Sequence, residues 1–130
     1  MMNVLLDTHT LLWWINEHDK LSPIARSVLL DEENTLFLSI ASIWEIAIKV
    51  SLGKLTELEG GVSSVITKIE EMPIYMLPVL PNHIEMVESL PFIHRDPFDR
   101  LLIATANVEG MTILTKDDNI TKYDAQTLWC

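Results

Sequence analysis

Four carboxylates stand where a folded chain does not easily tolerate them. Asp7 follows the apolar run Val4-Leu5-Leu6, and Asp117 follows Thr112-Ile113-Leu114-Thr115. Each therefore ends a short buried strand, at the edge where open parallel sheets bind ligands. An Asx-turn or a cap for the next helix explains either aspartate alone. Two at equivalent strand ends point to a site. Glu45 lies in Ile40-Ala-Ser-Ile-Trp-Glu-Ile-Ala-Ile-Lys-Val50, apolar nearly all round and hence a largely buried helix. A carboxylate there needs a partner. Lys49, one turn on, is the local choice, and a cation is the other. In Asp96-Pro97-Phe98-Asp99, Asp96 reads as the helix N-cap and Pro97 as the first helical residue, which places Asp99 at the third. Capping accounts for Asp96, while Asp99 has acceptor sites to spare.

Carboxylates brought together repel and raise one another's pKa values, a penalty that a divalent cation removes. All-oxygen ligation suits Mg2+ or Mn2+ rather than zinc. Such a centre activates water and stabilises charge on a phosphoryl oxygen, so the reaction class is phosphodiester hydrolysis. The remaining acids, among them Asp31-Glu32-Glu33, Glu57, Glu59, Glu70 and Glu71, read as solvated loop and helix-surface residues.

The elements that must position these four follow from apolar runs and caps. Strands are expected at 4–6, 36–38, 74–79 (interrupted by Pro78), 112–114 and 127–129. Helices are expected from Thr8 to Asn16, from Pro23 behind a Ser22 cap to about Leu30, and from a Ser39 or Ser42 cap to Gly53. Further helices are expected over 62–71, from an Asn82/Glu85 capping box to before Pro91, and from Phe98 to Val108, closed by Gly110. Short apolar strands alternating with helices give a parallel sheet covered on both faces.

One hundred and thirty residues, 48% of them hydrophobic, make a single domain over 1–130 with a true core. The lone cysteine, Cys130, excludes an internal disulfide and a cysteine-ligated zinc site. With no signal-peptide pattern and no apolar run of membrane-spanning length, the expected compartment is the cytoplasm. Nineteen acidic against nine basic residues, net charge -10, argue by themselves against a nucleic-acid binder.

Four segments, in order, resemble the PIN-domain proteins, and among them the VapC-type toxins of bacterial toxin–antitoxin pairs. They are Asp7-Thr-His-Thr-Leu-Leu-Trp-Trp, Ser42-Ile-Trp-Glu-Ile-Ala-Ile-Lys49, His94-Arg-Asp-Pro-Phe-Asp-Arg-Leu-Leu-Ile-Ala104 and Leu114-Thr-Lys-Asp117. The resemblance implies a PIN-like three-layer α/β/α sandwich with a central, mostly parallel sheet of four to five short strands. It implies a Mg2+- or Mn2+-dependent endoribonuclease in which Asp7, Glu45, Asp99 and Asp117 are the catalytic, metal-holding acids. Asp118 competes with Asp117 for the fourth place. Thr115 and Thr8 are the implied supporting hydroxyls. An RNA substrate, a cognate antitoxin and a homodimer complete the implied partners.

Five of the nine basic residues lie in or beside these segments: Lys49, Lys54, Arg95, Arg100 and Lys116. A local basic rim of Lys49, Arg95, Arg100 and Lys116 would hold RNA despite the net charge. His9 and His94 read as turn or helix-cap residues, His18 and His83 as loop and helix-start residues. Trp13, Trp14 and Trp44 read as core or dimer contacts rather than base-stacking platforms. Two other readings compete with the nuclease. One is a PIN-like binding module acting in an antitoxin–operator complex. The other is a phosphatase with Asp7 as nucleophile, disfavoured because His9 stands where a second aspartate belongs.

Overall fold

A computed structural model describes residues 1–16, 18–56 and 58–129; the expectations for Glu57 and Cys130 fall outside it. Five strands form one sheet: β1 Asn3–Leu6, β2 Thr35–Ser39, β3 Ile74–Leu77, β4 Thr112–Leu114 and β5 Thr127–Leu128. Their spatial order is β3-β2-β1-β4-β5 and every pairing is parallel. The chain winds outward from β1 through β2 to β3, then returns to place β4 on the other side of β1. The sheet therefore reverses direction between β1 and β4, the switch point where such folds leave a crevice.

Seven α-helices cover it: α1 Thr8–Asn16, α2 Pro23–Leu30, α3 Ile40–Ser51, α4 Gly61–Glu70, α5 Pro81–Ser89, α6 Pro97–Glu109 and α7 Asp118–Thr121. Alternation along the strands sorts side chains into two cores. Val4, Leu6, Leu36, Leu38 and Leu114 face α1–α4, packing on Leu11, Val28, Ile46, Val65 and Ile69. Leu5 and Ile113 face the other way, onto Ile103, Ala106, Ile120 and Tyr123. This is the expected sandwich, with five strands.

Local chemistry explains most element boundaries. Ser22 Oγ accepts from Ala25 N at 3.0 Å, and Ser39 Oγ from Ala41 N at 3.1 Å, so Ser39 and not Ser42 caps α3. Asp96 Oδ1 accepts from Phe98 N at 2.8 Å and from Asp99 N at 3.2 Å, ahead of Pro97. Gly110, at φ 69°, ends α6 in the left-handed conformation that favours glycine.

One expectation needs correction. The Asn82/Glu85 capping box does not form. Leu80 caps α5 and Pro81 starts it, two residues earlier than that box would, and the backbone N–H of Leu80 donates to His83 Nδ1 at 3.1 Å. His83 does stand in the first turn of α5, as expected, but not as a surface residue. It is fully buried, and its Nε2 lies 2.6 Å from Glu109 Oε2, joining α5 to α6.

Candidate active site

The strand register puts the first two acids together. Leu6 pairs with Leu114, so the residues just beyond, Asp7 and Thr115, are neighbours across the switch point. Asp7 N donates to Leu114 O at 3.2 Å. The Thr115 hydroxyl, 1% exposed, donates to Asp7 Oδ2 at 2.6 Å and accepts from Asp117 N at 3.0 Å. One buried hydroxyl thus spaces the two strand-end aspartates. Both also do the local work open to them: Asp7 Oδ1 accepts from His9 N at 3.3 Å, and Asp117 Oδ1 from Asn119 N at 2.9 Å.

The third acid arrives on α3, whose buried face runs through Ala41, Ser42, Glu45 and Ile46. Glu45 is only 6% exposed, yet both of its oxygens are engaged. Thr8 donates to Oε1 at 2.8 Å and lies 2.9 Å from Ser42 Oγ, while Lys49 Nζ stands 2.9 Å from Oε2. The helical ion pair and the placement beside the other acids are therefore both present.

Asp99 enters on the first turn of α6. His94 Nε2 lies 3.1 Å from its Oδ2, so the expectation of a mere turn or cap role for His94 does not stand. Burial, first, and then the charges of Asp96, Asp7, Asp117 and Glu45 push the Asp99 carboxyl up to about 8. Burial also raises Asp7; the Thr115 hydrogen bond and His9 oppose that shift, and the charge of Asp117 adds to it. Asp117, rather than Asp118, is the acid felt by both Asp7 and Asp99. The four acids are thus electrostatically one group. They are not in close contact: among the described residues, the three-donor set within 4.8 Å is His94, Asp96 and Asp99.

The basic residues divide. Lys116 is exposed and lines a cleft of about 520 Å³ with Asp7, His9, Trp13 and Asp117. Lys49 and Arg95 line a second, of about 410 Å³, with Glu45 and Phe98. Arg100 is not on the rim, which corrects the sequence reading. It is 7% exposed and donates to Pro91 O at 3.0 Å, Val87 O at 3.1 Å and Tyr123 Oη at 3.1 Å, with its guanidinium 4.8 Å from the Phe92 ring centroid. Since Tyr123 Oη also accepts from His94 N at 2.8 Å, Arg100 anchors the loop that presents His94 and Arg95. Of the core or dimer contact expected for Trp44, the core half does not hold: it is 61% exposed.

A doubly wound parallel sheet with acids at its switch point places the chain among the open α/β proteins that bind ligands at the carboxyl ends of their strands. Within that class, the sequence profile of the PIN domain matches residues 4–126, and the chain belongs to that family. The chain is 29% identical over 124 residues to ribonuclease VapC22 of Mycobacterium tuberculosis, covering 95% of this chain and 93% of that one. Its fold is similar to that in VapBC2 from Rickettsia felis bound to a promoter DNA fragment, with a TM-score of 0.75 at 16% identity, covering 99% of this chain and 100% of the other. It is also similar to VapBC-5 of Mycobacterium tuberculosis, a member of the VapBC family of toxin–antitoxin systems. There the TM-score is 0.65 at 15% identity, with 98% and 97% covered.

Proposed function

We propose that this chain is a metal-dependent endoribonuclease toxin, a single PIN domain restrained by a cognate antitoxin and working as a homodimer. One observation carries the reading: Asp99 is lifted to about 8 by burial and then by the charges of Asp96, Asp7, Asp117 and Glu45, acids that distant parts of the chain bring near it. A fold does not maintain that cost for packing. The likeness to a named ribonuclease over nearly the whole chain supports the substrate class. The likeness to toxin–antitoxin complexes supports the partner.

The donor set fits Mg2+ or Mn2+, being carboxylate throughout. Asp7, Glu45, Asp99 and Asp117 would hold the ion, which supplies an activated water and charge stabilisation at the phosphoryl oxygen. The chain's own residues do the rest. Thr115 keeps Asp7 Oδ2 facing its hydroxyl and sets the distance to Asp117. Thr8 and Lys49 hold the two oxygens of Glu45 against rotation. With Nε2 protonated, His94 donates to Asp99 Oδ2 and fixes the plane of that carboxylate. Arg95 and Lys116, on opposite clefts, give the phosphates of a bound strand positive partners beside an acidic centre.

The test is cleavage of total RNA by purified protein in Mg2+, Mn2+ or EDTA, beside the Asp99→Asn variant. Cutting at discrete sites that needs metal and is lost in the variant is the expected result. Folded, antitoxin-free protein that cuts nothing in either metal transfers the weight to a binding module.

A further inference from the structure

Tyr123 is buried, and its ring packs in the core with Leu5, Ile103, Ile113 and Ile120. That packing asks for an aromatic ring and not for a hydroxyl. The hydroxyl is nonetheless fully committed. Its oxygen accepts from His94 N at 2.8 Å, from Arg100 Nη1 at 3.1 Å and from Ile93 N at 3.2 Å, and it donates to His94 O at 3.3 Å. A phenol has one proton and two lone pairs, so three incoming donors and one outgoing bond use all of its capacity. Each of these bonds serves residues 91–96, a stretch in no helix or strand, or the arginine that anchors it.

Two of the four acids stand at the ends of this connection. On one side α7 is a bracket of four residues. Asp117 caps its amino end, and Tyr123 follows its carboxyl end, donating its backbone N–H to Ile120 O at 3.1 Å. On the other side the loop that the hydroxyl grips carries His94, whose Nε2 lies 3.1 Å from Asp99 Oδ2. The path from Asp117 to Asp99 thus runs through one short helix, one hydroxyl and one imidazole. Like charges separate unless the structure opposes them, and the loop has no ladder of its own with which to do so. We propose that the Tyr123 hydroxyl is a positioning group for the acidic centre: it braces the His94 loop against the segment of Asp117, and so holds Asp99 through His94. The inference rests on the metal-dependent nuclease reading and deepens it, adding a residue that touches neither cation nor substrate.

Tyr123→Phe keeps the ring and removes the brace. Mn2+ binding is measured first, without RNA, from the EPR signal of the free ion. The variant should raise Kd for Mn2+ about tenfold, the lower end of what losing a group behind a metal ligand does. On RNA, kcat should fall about tenfold with KM unchanged, because the loss falls on the reacting geometry and not on strand binding. Urea unfolding of each variant fixes conditions in which all are folded. The decisive comparison is His94→Ala with and without Tyr123→Phe. Once the imidazole is gone the hydroxyl has nothing to transmit, so the second substitution should change Kd for Mn2+ by less than about threefold. A hydroxyl that only stabilises the fold would lower the urea midpoint in both backgrounds and leave Mn2+ affinity alone, and that result overturns the proposal. Penalties on Mn2+ binding that multiply in the double variant also overturn it. Wild-type protein that cuts RNA, matched by Tyr123→Phe in Mn2+ affinity and kcat, sinks the brace alone. The expected Mn2+ pattern in protein that never cuts sinks the nuclease alone. Wild-type protein that binds no Mn2+ at millimolar concentration sinks both.

Discussion

Asp99 and Arg100 are neighbours on one helical turn, and the protein treats their charges in opposite ways. Arg100 turns into the cleft between α5 and α6, where two backbone carbonyls, a phenol and an aromatic face answer its guanidinium. At the far end of the same helix Glu109 meets His83. Asp99 turns toward the switch point and faces the like charges of Asp96, Asp7, Asp117 and Glu45. The first region buries polar groups that are satisfied and so fixes the loop carrying His94. The second buries groups in conflict. Conflict next to satisfaction on one rigid helix is what distinguishes a site from its support.

The sharpest way to break the comparison is to neutralise each side in turn. Asp99→Asn should lower RNA cleavage by about three orders of magnitude, roughly 4 kcal/mol of transition-state stabilisation. It should raise the melting temperature of metal-free protein above about pH 8, where it removes one of the opposing charges. Arg100→Met should do the reverse. It removes one of the two donors to each of the carbonyls of Pro91 and Val87, which keep Ile93 N and Leu90 N, takes a donor from Tyr123 Oη, and should cost about 2 kcal/mol in urea unfolding, with a share of activity lost through the His94 loop. If both variants shift stability in the same direction, the two regions are not the opposites described here.

A smaller effect follows from pH. The Asp99 carboxyl titrates near 3.8 in the unfolded chain and near 8 in the native one. Between those values the native state holds the extra proton, so unfolding free energy falls as pH rises, and the full penalty is present above about 8. Melts in EDTA should therefore drop from pH 5 to pH 9. Asp99→Asn should flatten that slope, and saturating Mn2+ should oppose it by binding the ionised form, about 2.7 kcal/mol at one hundred times Kd. A slope unaffected by the Asn substitution assigns the proton elsewhere.

Much of this was legible along the chain. Val4-Leu5-Leu6 and Thr112-Ile113-Leu114 are apolar on both faces, so their place at the centre of the sheet follows from composition. Ser22-Pro23 and Asp96-Pro97 announce their helices. The four acids stood out because each interrupts an apolar pattern. What escaped depends on distant partners. Arg100 reads as a surface charge until α5 and Tyr123 supply its acceptors. His94 lies in a loop with no period, so nothing local points it at Asp99. Trp44 sits in a helix apolar nearly all round, where no face could be assigned to solvent before the sheet, α1 and α4 closed over the other side. The four-residue α7 is too short to show any periodicity.

The bond from Thr115 to Asp7 spans 108 positions of chain, and it forms where β4 slots in beside β1. The acidic centre and the middle of the sheet are therefore completed by the same pairing. A chain synthesised only as far as β3 owns the Asp7 and Glu45 ends of the apparatus, but no neighbour on the open side of β1 and no second pair of acids. On the proposed reading of an RNA-cutting toxin, such late closure means that nascent and truncated chains are harmless: the weapon is armed only by completing the fold.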